Sequence, residues 1–86
     1  MQKSLHTPGY RLFCKILRET RMDAEVSQTE LAKRLGVGQD FVSKCERGVR
    51  RLDAVELREW CFALGVPFSE FVVELDRTLP KLKHRG

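Results

Sequence analysis

Four polar side chains, Gln39, Asp40, Ser43 and Lys44, have the types and spacing to read hydrogen-bonding edges on a partner. In a helix that starts at Gln39 they share the face opposite Val42 and Cys45, because residues three and four apart are neighbours on a helix surface. A glutamine donates and accepts at once, the pattern that matches N6 and N7 of adenine. Asp40 can accept from the amino group of cytosine, and Lys44 can reach guanine or a phosphate. Ser43 can pair with several base edges and so specifies weakly. An ordinary solvated helix face carries the same residue types, so the reading depends on what surrounds them. Asp40 also has a structural use, since a carboxylate in the first turn favours the positive end of its own helix. Phe41 fits either the core or a thymine methyl; Val42 and Cys45 already supply an inward stripe, which assigns Phe41 to the partner side. Enzyme chemistry finds no support. His6 and His84 lie near the ends, Cys14, Cys45 and Cys61 fall in apolar patterns, and no nucleophile, base and orienting group fall together. No metal-ligand set has suitable spacing, and no cofactor is expected.

The elements that must position these side chains are helices. Pro8 suits a first helical turn, and Tyr10, Phe13, Cys14 and Leu17 recur at helical spacing, with Thr20 and Arg21 extending the stripe. Arg11, Lys15 and Arg18 gather on another face. Ser27 and Glu30 form the pattern of a capping box, with Val26 and Leu31 placed as a hydrophobic staple. Leu31, Ala32 and Leu35 follow, and Gly36 can take the left-handed conformation that ends a helix. Only Val37 and Gly38 then precede Gln39, so two short helices are joined by a glycine turn. A second capping box at Asp53 and Glu56, with Leu52 and Leu57 as its staple, opens a fourth helix that runs to Leu64 and closes at Gly65. After Pro67, the residues Phe68, Phe71, Val72, Leu75 and Leu79 form a fifth stripe, which Pro80 terminates. The pattern predicts an all-α, compact five-helix domain over residues 8–79. A loose N-terminal segment over 1–7 and a basic tail over 80–86 flank it.

Length and composition agree with one small domain. The 86 residues leave no room for a separate sensing or catalytic domain, and 42% hydrophobic content is too much for a disordered chain. The net charge of +4 makes a polyanion a natural partner. Three cysteines without a C-x-x-C pair read as reduced core residues of a cytoplasmic protein. No apolar run approaches a membrane span, and the N-terminus lacks the layout of a signal peptide.

From Ser27 to Gly48 the residues SQTELAKRLGVGQDFVSKCERG resemble the Cro/C1-type (XRE-like) helix-turn-helix regulators of phage and bacteria. The likeness extends upstream to LRETR at 17–21 and downstream through RRLDAVELREWCFALGV at 50–66. It implies a lambda-repressor-like fold in which residues 39–46 form the recognition helix, lying in the major groove, with residues 28–35 crossing the backbone above it. The implied base contacts are Gln39, Asp40, Phe41, Ser43 and Lys44. The implied DNA-backbone contacts are Gln28, Gly38, Arg47, Arg50 and Arg51, with Gln28 presenting N–H groups to a phosphate at the start of its helix. Arg21 and Glu46 are expected to pair across the core. Two departures stand out: the link Met22-Asp23-Ala24-Glu25 lacks a common glycine, and Gly38 replaces a side chain that often caps the recognition helix.

A single recognition helix reads few base pairs, so a homodimer on double-stranded DNA is expected. Trp60, Phe62, Phe68 and Phe71 form an apolar surplus, some of them core residues and Trp60 the one best assigned there, which points to the last two helices as the interface. The function implied is a sequence-specific repressor acting on a palindromic operator. The alternative is an antitoxin-type protein that holds a protein partner while repressing its own operon.

Overall fold

The computed structural model describes residues 7–80, so the leader and the tail fall outside the described residues except for Thr7 and Pro80. Regular structure among them is helical: α1 (Pro8–Asp23), α2 (Gln28–Leu35), α3 (Gln39–Glu46), α4 (Ala54–Leu64) and α5 (Phe68–Thr78). Thr7, assigned above to the loose segment, instead caps α1, its hydroxyl accepting from the Tyr10 N–H at 3.1 Å. Pro8 follows at the position where a missing N–H costs nothing.

Local chemistry explains where each helix stops. After α2, Gly36 is left-handed with φ 74°, and the Val37 N–H folds back onto the Ala32 carbonyl at 2.9 Å. The end of α1 makes the same wrap without a glycine. Glu25 takes φ 60°, and the Val26 N–H reaches the Arg21 carbonyl at 3.2 Å. A side chain in that conformation costs about 1–2 kcal/mol, part of which a glycine would return as unfolded-state entropy. Glu25→Gly should therefore stabilise the fold by about 0.5–1 kcal/mol. Thermal unfolding followed at Trp60, the single tryptophan, measures this; an unchanged or lower midpoint contradicts it.

The two capping boxes differ. At α4 both halves form: the Glu56 N–H donates to Asp53 at 2.7 Å and the Asp53 N–H to the Glu56 carboxylate at 2.9 Å. At α2 the Glu30 N–H donates to Ser27 at 3.0 Å, but the Glu30 carboxylate turns along the helix to Arg34 at 3.1 Å. Arg34 also donates to the Ala63 carbonyl at 2.8 Å, so the lost half of the cap becomes a tie between α2 and α4.

Leu17, Leu31, Val42, Cys45, Trp60 and Cys61 are fully buried, so α1 to α4 all enter one core. Helix α5 closes it with a single buried side chain, Phe71, which meets Phe13 edge-on with ring centroids 6.2 Å apart. The expected apolar surplus is accordingly smaller than the sequence indicated. Trp60 and Phe71 are core and Phe68 is half-buried, because four short helices leave a gap that α5 must plug. Phe62 alone of the four stands in solvent, 86% exposed. The three cysteines are buried free thiols, and burial pushes Cys45 and Cys61 up to about 11, leaving them little thiolate character.

Candidate nucleic-acid interface

The site is built outward from a buried ion pair. Arg21, near the end of α1, and Glu46, the last residue of α3, meet through two hydrogen bonds, Nε to Oε2 at 2.6 Å and Nη2 to Oε1 at 3.1 Å. Their side chains are only 11% and 2% exposed. A third donor of Arg21 holds the Val26 carbonyl at 2.9 Å, so one guanidinium joins α1, the turn before α2 and the end of α3. The fork geometry of arginine suits this bidentate hold on a carboxylate.

A chain of hydrogen bonds leads from that pair to the surface. Gln28, the first residue of α2, donates its amide N–H to Glu46 at 2.9 Å. Gln39, the first residue of α3, donates to the Gln28 oxygen at 2.6 Å. The direction of the chain follows from its buried end. A carboxylate only accepts, so Gln28 must turn its NH₂ toward Glu46 and its oxygen toward Gln39. Gln39 must then turn its NH₂ toward Gln28. Its second N–H and its own oxygen project from an exposed position at the start of α3. That donor and acceptor, side by side with fixed polarity, match the N7 acceptor and N6 donor of adenine.

The other expected base-facing residues share this surface to different degrees. Asp40 and Lys44 are exposed and pair with each other at 3.1 Å, one turn apart. Ser43 is half-buried and accepts from Arg47 at 3.1 Å. Phe41, which by sequence fits either the core or the partner side, is divided between them. Its ring is half-buried against the core, as the third member of an inward stripe with Val42 and Cys45, and only part of it is exposed. An amphipathic helix buries about three residues per two turns, which leaves room for Phe41 beside Val42 and Cys45. Gly38 caps α3 through its backbone alone and is exposed.

The loop after α3 holds its arginines through specific partners. Arg50 stacks over the Phe41 ring at 4.6 Å and grips Glu56 with two hydrogen bonds of 3.0 Å. It also donates to the Arg51 carbonyl. Arg51 stacks over the Tyr10 ring at 4.3 Å. The Arg50 bond, helped by the Asp53 N–H, holds the Glu56 carboxyl below its ordinary value of 4.5. A lowered folded-state value means that this contribution to stability is present above the ordinary value and lost as pH falls through the lowered one. Acid unfolding of Glu56→Gln should lack that component, so the stability difference from wild type shrinks as pH drops below about 4. An unchanged difference contradicts it.

Comparisons with known proteins bear on this arrangement. A model of the helix-turn-helix domain family matches residues 15–75, which include Arg21, Gln28, Gln39 and Glu46. The solved structure of an XRE-family like protein from Pseudomonas syringae pv. tomato str. DC3000 superimposes with a TM-score of 0.79. It is 37% identical, over 92% of this chain and 96% of that one. The chain belongs to the XRE-like helix-turn-helix family. This helix-turn-helix protein is also similar to the clp gene regulator ClgR from C. glutamicum, with a TM-score of 0.68 and 28% identity over 78% of this chain and 86% of that one. An uncharacterized transcriptional regulator in the ATPase CF(0) region of Rhodospirillum rubrum is 35% identical over 76% of the chain. The match spans 60% of that relative's length.

Within the helix-turn-helix unit, α2 and α3 are thus joined by more than apolar packing. The Gln28 to Glu46 bond, the Arg34 tie to α4 and the Arg50 stack on Phe41 all escaped sequence reasoning. They link residues brought together by the tertiary fold, and no local spacing marks them.

Proposed function

We propose that this helix-turn-helix protein is a sequence-specific DNA-binding transcriptional regulator that represses by occupying a promoter. The observation that carries this reading is the chain from Glu46 through Gln28 to Gln39, which fixes the polarity of an exposed amide at the start of α3. A solvated surface glutamine has no need of a two-residue tether to a buried carboxylate. In this reading α3 lies in the major groove, with Gln39, Asp40, Ser43, Lys44 and the exposed part of Phe41 facing base edges. The Gln28 and Gly38 backbone groups and Arg47, Arg50 and Arg51 face phosphates, which supply affinity without sequence information.

The protein works as a homodimer on a palindromic site, because one α3 reads too few base pairs to select a promoter. Its place is the compartment that holds the DNA, the cytoplasm. No helix among the described residues is long and apolar enough to cross a membrane. Selection of bound sequences from a random DNA pool tests the function. The expected product is a two-fold symmetric motif whose half-sites lie about one helical turn apart, roughly 10 base pairs. Recovery of sequences with no shared motif contradicts it.

A further inference from the structure

We propose that the face of α4 around Phe62 joins two copies of this chain. The proposal rests on the reading above that the protein acts as a homodimer, and it replaces the broad interface expected from four aromatics with one built on a single exposed ring. Phe62 is 86% exposed, the most solvent-exposed of the large apolar side chains among the described residues. Within the described chain it contributes little to the core, so its ring is available for burial against a partner.

Phe62 stands between two hollows on one face. The first, of about 150 Å³, is lined by Arg58, Val66, Pro67 and Phe68 beside Phe62 itself. The second is lined by Arg34, Leu35, Glu59 and Ala63. A two-fold interface requires that each surface be complementary to itself, so that residue i meets residue j and j meets i. A projecting ring beside an apolar hollow meets that requirement: each copy places Phe62 in its partner's hollow and receives the partner's ring in its own.

The charges agree with the same symmetry. Arg58 and Glu59 are both exposed, one on each side of Phe62, and neither is ion-paired within the described chain. With the two-fold axis running along α4 beside Phe62, Arg58 lies against the opposite copy's Glu59, and the reverse, giving two attractive pairs at the rim. Two copies of a surface bearing one sign of charge would repel instead. The position also suits the proposed function. Leu35, in the second hollow, ends α2 just before the turn into α3, so an interface here fixes the two reading helices relative to each other.

Sedimentation equilibrium of the full chain tests the proposal. Wild type self-associates, and Phe62→Glu weakens the association by on the order of a hundredfold, since two rings lose their burial. At concentrations where both proteins are monomeric, unfolding followed at Trp60 should be the same in this variant as in wild type. Arg58→Glu alone also weakens association, whereas Arg58→Glu combined with Glu59→Arg restores it, which a merely unfolded variant would not do. On DNA carrying two half-sites, Phe62→Glu loses cooperative binding while its affinity for a single half-site stays at the wild-type level. Association of Phe62→Glu or Arg58→Glu as tight as wild type overturns the assignment. So does a wild-type chain that is monomeric both alone and on two-half-site DNA. In that last case, sequence-selective half-site binding leaves the DNA reading standing; its absence in wild type brings down the DNA reading separately.

Discussion

Glu46→Gln should destabilise the fold by about 3–5 kcal/mol, because it leaves the Arg21 guanidinium buried without its counter-charge. The pair is nearly closed to solvent, with side chains 11% and 2% exposed, so water cannot replace the lost carboxylate. A domain of this size has a total stability of about 5–10 kcal/mol, and each kcal/mol moves the midpoint by about 4–8 °C. The melting midpoint should thus fall by roughly 15 °C or more. A paired replacement, Arg21→Met with Glu46→Leu, removes both charges together and should recover most of that loss. It should not recover DNA affinity, because Gln28 then lacks the acceptor that sets its direction. Two measurements, thermal unfolding and binding to the selected DNA, therefore separate the role of the pair in the fold from its role in orienting α3. A wild-type midpoint for Glu46→Gln contradicts the first role. Wild-type DNA affinity for the double variant contradicts the second.

The second large effect is expected at Gln39. Removing its amide with Gln39→Ala should cost about 1–3 kcal/mol of discrimination at one base position, roughly ten- to a hundredfold. Preferences at the other positions of the half-site should persist. Gln28→Ala should blur the same position although Gln28 lies on another helix, since Gln39 then has no partner to fix which way its amide points. The two substitutions act on one network, so their effects should fall short of additive in a double-mutant cycle. Fully additive losses would show that the 2.6 Å bond between the two glutamines has no part in recognition.

The particular residues that could be read from sequence are those whose role is local. Ser27, Gly36, Asp53 and Gly65 bound their helices because capping depends on neighbours within a turn, and α3, Gln39–Glu46, starts at Gln39 and ends before Gly48 as its apolar spacing required. Glu25 could not be read this way. A glutamate in the left-handed region has no sequence signature, and the hydrogen bonds between Arg21 and Val26 that close the turn around it form only in the folded chain. How far Phe41 and Phe71 enter the core stays open in the sequence for a related reason: how much apolar surface a core needs depends on how its helices cross, which periodicity along one helix does not contain. The inner half of the site followed from the family resemblance, which named Arg21 and Glu46. The direction of the Gln28 and Gln39 amides has no mark in the sequence, because it is imposed by a carboxylate 18 residues from Gln28.

That imposed direction is the central claim, and a change of one atom in the DNA tests it. In the motif recovered by selection, the adenine read at the Gln39 position can be replaced by 7-deazaadenine, which removes the N7 acceptor and keeps the N6 amino group. Wild-type protein should lose about tenfold or more in affinity for the altered site, while Gln39→Ala, already without the contact, should bind both sites equally. Equal binding of the two sites by wild type, or the same loss in Gln39→Ala, would contradict the account.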